Sequence, residues 1–193
     1  MIFSAIDDNI KQASELLLRG EVIVYPTDTL YGIGVDATNT EAINKLNKLK
    51  KRKSPLSIIV SSIKMLKKYA KISKNDLKYL NKFLPGKFTF LLSKKESNLS
   101  KIITLNTKKV GIRIPDSDFI INVVNYINRP IITTSVNFHG EKPINDIKEI
   151  YNLFKGIYIF TDDIINESKG STIVDLNGEN SQIIRKGDGI FYL

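Results

Sequence analysis

Hydrophobic and polar residues run along this chain in blocks whose period changes. Ile10, Ala13, Leu16 and Leu17 recur at helical spacing behind Asp7 and Asp8 as candidate caps, and Gly20 closes the segment. Val22, Ile23, Val24 and Tyr25 are β-branched or aromatic and predict a buried strand. Pro26 ends it, because proline offers no N–H to a ladder. A second helix is predicted from Thr38, with Glu41 three residues on in a capping-box pattern. Ala42, Ile43, Leu46 and Leu49 make its buried stripe, with Lys45 and Lys48 off it, and the helix runs out into Lys50, Lys51, Arg52 and Lys53.

Leu56 to Val60 reads as a buried strand. Ser61 and Ser62 are candidate caps for a helix carrying Ile63, Leu66 and Tyr69. Leu77, Leu80, Phe83 and Leu84 mark a helix that Pro85-Gly86 ends. Strands are predicted at Lys87 to Ser93 and Val110 to Ile114, then a helix through Phe119, Ile120, Val123, Val124 and Ile127. A strand at Ile131 to Val136 leads into Asn137, His139 and Gly140. A helix through Ile147, Ile150, Tyr151 and Phe154 takes Asn145 as its candidate cap. Strands follow at Ile157 to Phe160, Thr172 to Leu176 and Gln182 to Ile184. The alternation is irregular, with strands gathered in the second half. That predicts an α/β fold with an open, twisted, mixed parallel and antiparallel sheet and flanking helices. No repeat, low-complexity stretch or linker divides the chain, so one domain over residues 1–193 is expected.

Composition changes this picture in three places. Hydrophobic residues are 42% and charged residues 25% of the chain, ordinary values for a globular protein. No apolar run approaches the ~20 residues of a membrane span, and the N-terminus lacks a basic start followed by an apolar block. No membrane and a cytoplasmic location are the expectation. The absence of cysteine removes disulfides, thiolate catalysis and cysteine-type zinc sites. With 29 Lys plus Arg against 20 Asp plus Glu, the net charge of +9 attracts polyanions such as nucleotides and RNA. A chain rich in Lys, Asn and Ile offers a plainer origin for the same excess.

Polar clusters stand at the ends of the predicted strands. The first is Thr27-Asp28-Thr29 with Tyr31, Gly32 and Gly34, which reads either as a ligand-facing edge or as a tight turn. The second is Lys50 to Lys53 before Ser54-Pro55-Leu56, either a solvated helix end or a phosphate site. Thr89, with Arg113 two residues before Pro115, makes the third; Ser135-x-Asn137 before Gly140 makes the fourth. Ser171-Thr172 and Arg185-Lys186-Gly187 form a late pair that can join them. Arg113, flanked by Ile112 and Ile114, must find an anionic partner or leave the sheet at an edge. No Ser-His-Asp order is evident, and His139 is the only histidine. No Walker A sequence occurs, and Gly32-x-Gly34 lacks the third glycine of a dinucleotide fingerprint.

Taken together, these pieces resemble the YrdC-like family, the threonylcarbamoyl-AMP synthases. YPTDTLYGIGVDA, Lys50-x-Arg52…Pro55-Leu56, PGKFTFLL, VGIRIP, TTSVNFHGEKP and STIVDL…IIRKG stand in the family's order and span about residues 10 to 190. The resemblance implies an open α/β sheet with a large concave basic face. It implies an L-threonylcarbamoyladenylate synthase, which turns L-threonine, bicarbonate and ATP into threonylcarbamoyl-AMP and pyrophosphate. The product serves a downstream transferase that modifies N6 of adenosine 37 in tRNAs reading ANN codons. Mg2+ is expected on the ATP phosphates and no protein-bound metal. Contact with tRNA or double-stranded RNA is the remaining partner the resemblance suggests.

Residue by residue, the resemblance puts Lys50 and Arg52 in the catalytic role, at the ATP phosphates. Thr27, Thr29 and Tyr31 border the threonine and carbamate pocket, Arg113 takes the threonine carboxylate, and Ser135 meets threonine or the carbamate. Thr89, Asn137 and Arg185 contact the nucleotide, and Ser54 takes an ATP position. Only Lys53 and Ser54 separate the Lys-x-Arg pair from Pro-Leu, a shorter loop than many members have, and this leaves open which of Lys50, Lys51, Arg52 and Ser54 fills which phosphate role. Lys87 stands where PGP is usual, and Val136 replaces the alanine of S-A-N. Ending at Leu193, the sequence matches the short members that lack an additional C-terminal domain. Alternatives are a non-catalytic double-stranded RNA or tRNA module on the same fold, or a paralogue of undefined activity. A carbamoyl-adenylate enzyme of the hydrogenase-maturation type is too long and cysteine-dependent for this chain.

Overall fold

The computed structural model describes residues 1–52, 54–162, 167–176 and 181–192. Ten strands form one sheet: β1 (Ile2–Ser4), β2 (Ile23–Tyr25), β3 (Gly32–Gly34), β4 (Ser57–Ile59), β5 (Phe88–Ser93), β6 (Lys109–Arg113), β7 (Ile131–Ser135), β8 (Tyr158–Thr161), β9 (Thr172–Asp175) and β10 (Gln182–Arg185). Their spatial order is β1-β8-β2-β3-β7-β4-β6-β5-β9-β10. The β1/β8, β2/β8, β4/β6 and β5/β9 pairs are parallel. The β2/β3, β3/β7, β4/β7, β5/β6 and β9/β10 pairs are antiparallel. The sheet is therefore mixed, as the irregular alternation predicts.

Six α-helices accompany it among the described residues: α1 (Ile10–Leu18), α2 (Thr40–Lys50), α3 (Ile63–Leu66), α4 (Lys74–Phe83), α5 (Asp118–Ile127) and α6 (Ile147–Leu153). Two strands escape the hydrophobic pattern. β1 is a three-residue edge strand at the N-terminus. β3 carries glycine at both ends and has no period of its own; it folds back on β2 with Tyr25 opposite Gly32. Gly34 is required by packing, since a Cβ there would lie 1.9 Å from the Ile132 carbonyl oxygen of β7.

Capping also departs from the sequence reading. Asn39, not Thr38, caps α2, its side chain accepting from the Ala42 N–H. Thr38 instead gives its N–H and hydroxyl to Asp36 Oδ1. Asp146 caps α6, while Asn145 accepts the Tyr31 N–H. Asp7 and Asp8 lie in a short 3-10 turn before α1 and make no side-chain cap. Ser73 and Asp76 form a full capping box on α4. An Asn39→Ala variant is expected to lose about 1 kcal/mol of stability, read as a lower denaturant midpoint at unchanged slope.

The central strands divide their side chains between two faces, because successive residues of a strand point opposite ways. Ile58, Phe90, Ile112, Ile132 and Val174 are fully buried in the apolar core. Their neighbours Ser57, Thr89, Arg113, Thr133 and Ile173 line a cleft. Gly111 has no side chain to fill that cleft floor, and a Cβ there would meet Ser57 Oγ at 2.4 Å. One side of these central strands is thus buried in the apolar core, and the other lines the cleft.

Candidate functional site

The cleft holds about 790 Å³ of empty space, the solvent at its mouth included. Its lining combines hydroxyls with cations. Thr27, Thr29 and Tyr31 come from the β2–β3 connection, Thr133, Thr134 and Ser135 from β7, and Thr89 and Ser171 from the β5 and β9 ends. Arg52, Arg113, Lys169 and Arg185 supply the charge, and among the described residues none in the lining is acidic.

Arg113 sits at the buried corner. It is 6% exposed at the end of β6, an interior strand, so its charge cannot reach bulk water. Asp28, beyond β2, meets it in an ion pair through one guanidinium nitrogen, and the same nitrogen donates to Thr29 Oγ1 at 2.9 Å. This is the anionic partner that the Ile112-Arg113-Ile114 context demands. Burial lowers the Arg113 pKa and Asp28 opposes that shift, yet an arginine stays charged at any physiological pH. The corner has spare capacity: Arg113 Nε and Asp28 Oδ2 are buried with no hydrogen-bond partner among the described residues. The threonines are ordered in turn. Thr27 donates to the Leu30 carbonyl at 2.7 Å and accepts the Thr29 N–H at 3.1 Å.

Lys50 is fully buried at the end of α2. Its ammonium donates to the carbonyls of Ser135 and Asn137 and to Asn137 Oδ1, at 2.5, 2.6 and 2.9 Å. Asn137 Oδ1 also accepts from the Ser135 hydroxyl at 2.9 Å, and Asn137 Nδ2 donates to the Glu141 carbonyl at 2.7 Å. All of these acceptors are neutral. Burial, with the Arg52 charge adding to it, brings the Lys50 pKa down to about 7. Lys50 is therefore a clamp on the Ser135–Asn137 turn and is not part of the cleft surface. Helix α2 explains the geometry: Lys51 adopts left-handed backbone (φ 52°) and turns the chain, so Arg52 leaves the helix and enters the cleft. There its guanidinium donates to the Ser54 and Pro55 carbonyls and to Thr134 Oγ1 at 3.3, 2.8 and 3.3 Å.

Across the cleft, Arg185 donates through Nε and a terminal nitrogen to the Ser171 carbonyl at 3.2 and 2.6 Å. Ser171 Oγ and Thr89 Oγ1 share a hydrogen bond of 2.8 Å. Burial lowers the pKa of both Arg52 and Arg185. The Tyr31 hydroxyl donates to Asp162 Oδ1 at 2.9 Å and lies 2.8 Å from Thr161 Oγ1. Burial, with Asp162 beside it, pushes the phenol up to about 12, so Tyr31 stays neutral.

Eight of the residues expected from the sequence line the cleft together: Thr27, Thr29, Tyr31, Arg52, Thr89, Arg113, Ser135 and Arg185. Lys50, Ser54 and Asn137 stand behind it, and Lys53 falls outside the described residues. Sequence reading missed Ser57, Thr133 and Thr134, hydroxyls inside predicted strands that the register brings together, Ser57 opposite Gly111 and Thr133, and Thr134 opposite Ile33; it also missed Lys169. Two anionic groups fit such a lining: a carboxylate at the Arg113 corner and phosphates along Arg52 and Arg185. Among the described residues no group of His, Cys, Asp or Glu is arranged to hold a metal ion, and no helix is long and apolar enough to cross a membrane.

A family model designated Sua5/yciO/yrdC, described as telomere recombination, matches residues 15–187. The chain is 33% identical over 184 residues to threonylcarbamoyl-AMP synthase of Wigglesworthia glossinidia brevipalpis, covering 93% of this chain and 94% of that protein. It is 34% identical over 194 residues to a putative threonylcarbamoyl-AMP synthase of Methanocaldococcus jannaschii, covering 96% and 91%. The crystal structure of P. abyssi Sua5 complexed with L-threonine superposes with a TM-score of 0.88 at 25% identity, covering 97% of this chain. This chain spans 57% of that longer one.

Proposed function

The chain belongs to the Sua5/yciO/yrdC family, and on that premise we propose that it is an L-threonylcarbamoyladenylate synthase. Its substrates are L-threonine, bicarbonate and ATP; its products are threonylcarbamoyl-AMP and pyrophosphate. The observation that carries this reading is the cleft itself. A paired arginine with a free Nε–H stands a short way from two further arginines, all on one polar sheet face.

Threonine's amine and bicarbonate form a carbamate with loss of water. A carbamate oxygen then bonds to the α-phosphorus of ATP, and the bond to the bridging oxygen of pyrophosphate breaks, its electron pair leaving with pyrophosphate. No protein nucleophile is needed. The reactants must be aligned, and charge on the leaving group must be stabilised. In this reading Arg113 binds the threonine carboxylate, with Thr29, Tyr31 and Ser135 around the carbamate and Thr27 holding Thr29. Arg52, Arg185 and Thr89 take the nucleotide and its phosphates. We assign Lys50 to positioning the Ser135–Asn137 turn, since its three N–H donors are already spent there; Ser54 serves Arg52 through its carbonyl. Magnesium enters with ATP as part of the substrate, its ligands drawn from phosphate and water, because the cleft walls offer cations and hydroxyls.

The rest of the reading follows from the product. An acyl adenylate is consumed by a transferase, here one acting on adenosine 37 of ANN-decoding tRNAs in the cytoplasm. The surplus of basic residues suits contact with that RNA. We read residues 1–193 as one domain on the continuous ten-stranded sheet.

The test is pyrophosphate release from ATP and magnesium by the purified protein, with L-threonine and bicarbonate each present or omitted. Release that needs both is the expected result. Release indifferent to threonine, or none at all, would refute the reading.

A further inference from the structure

Lys169 lines the cleft, outside the roles given to the other lining residues in the proposed reaction. It differs from the three arginines around it. Each guanidinium is already held: Arg113 by Asp28 and Thr29, Arg52 by two carbonyls and Thr134, and Arg185 by Ser171. The Lys169 side chain is exposed and makes no ion pair or hydrogen bond among the described residues. Among the described residues it is a free cation at the cleft.

Its backbone, by contrast, is fixed. The Lys169 N–H donates to Asp188 Oδ1 at 2.9 Å, and the Ser168 hydroxyl donates to Asp188 Oδ2 at 2.5 Å. The Gly170 N–H donates to Ser168 Oγ at 2.9 Å, and the Gly170 carbonyl accepts the Asp188 N–H at 2.9 Å. Gly170 itself is left-handed (φ +79°), and a Cβ there would press on Leu30 and Arg185 at 3.3 and 3.4 Å. The turn is tight on both sides. One carboxylate, Asp188, thus holds the base of a lysine whose long side chain remains free to move.

That combination suits a particular phosphate. An oxyanion that stays put during a reaction is matched by a preset planar fork, which arginine provides. A leaving group moves as its bond breaks and gains charge. A compact ammonium on a flexible stem, with three N–H donors, can follow it. We propose that Lys169 is a catalytic residue that binds the β- and γ-phosphates of ATP and stabilises the departing pyrophosphate, and that Asp188 is its positioning residue. The proposal rests on the synthase reading for the reaction. It does not rest on it for the anion, since pyrophosphate binds with or without turnover.

Two measurements test it, with Lys169→Met and Lys169→Arg beside the wild type. The first is turnover at saturating threonine with ATP varied and pyrophosphate added as product inhibitor. Lys169→Met is expected to lower kcat and raise the pyrophosphate inhibition constant by about tenfold or more, with the threonine KM unchanged. Lys169→Arg is expected to recover pyrophosphate binding but not all of kcat. The second is direct calorimetric titration of each protein with inorganic pyrophosphate and magnesium. Weaker binding by Lys169→Met is expected here even if the protein proves to have no threonine-dependent activity, which would sink the synthase reading alone. Equal pyrophosphate binding by wild type and Lys169→Met would overturn the proposal. A change confined to the threonine KM would overturn it as well.

Discussion

Replacing Arg113 by lysine is expected to raise the threonine KM by roughly ten- to a hundredfold while leaving the ATP KM nearly unchanged. A hydrogen bond to a charged group is worth ~1.5–3 kcal/mol, and each 1.4 kcal/mol is a factor of ten. Lysine keeps the positive charge beside Asp28 but loses the fork that offers one edge to Asp28 and Thr29 and another to a ligand. Alanine is the blunter probe. It would leave Asp28 buried at the cleft corner without its cation, a loss that itself costs about 3–5 kcal/mol of stability. The lysine variant separates recognition from folding. Saturation by threonine at the wild-type concentration in Arg113→Lys would remove Arg113 from the carboxylate role.

That corner also measures how far the sequence could be read. A charge between Ile112 and Ile114 announces that it needs a partner, so the need was legible. The partner, Asp28, is 85 positions away, and only the strand order β2-β3-β7-β4-β6 brings the two ends together. Strand order is a long-range property with no local signature. The same holds for the hydroxyls of Ser57 and Thr133, which face the cleft because of register with Gly111 and with one another. Elements with a clear apolar period were read closely, and α5, β5 and β7 fall within a residue or two of expectation. β3 was not, because two of its three residues are glycine and its strand character comes wholly from pairing with β2 and β7. Caps failed by one position at Thr38 and Asn145, where two adjacent residues can both cap and another partner takes one of them: nearby Asp36 holds Thr38, and Tyr31, far along the chain, holds Asn145.

Lys50 is the clearest case of a residue whose surroundings the sequence did not show, and it carries the other large expectation. In the sequence it is one cation of a basic run. In the fold it is fully buried against neutral oxygens, and its pKa falls from 10.5 to about 7. In the unfolded chain it would titrate at the ordinary value. Between those two pH values the unfolded state binds one more proton than the folded state, so stability must rise with pH across that window. Below pH 7 both states are protonated, and the fold bears the full cost of the buried charge. One proton contributes about 1.4 kcal/mol per pH unit, which sets a ceiling of roughly 4 kcal/mol between pH 7 and 10. The gain should be somewhat smaller, because a neutral amine has two N–H groups for three oxygens. Lys50→Met has no such proton. Its denaturant midpoint should therefore fall progressively behind that of the wild type as pH rises from 7 to 10, and a gap that stays constant would refute the burial-driven shift. The same proton ties the clamp to the cleft. Phosphates bound near Arg52 would favour the charged form of Lys50, so nucleotide binding at pH 8 should draw a proton from the buffer. Calorimetry in two buffers of different ionisation enthalpy would reveal that uptake in the wild type, and it should vanish in Lys50→Met.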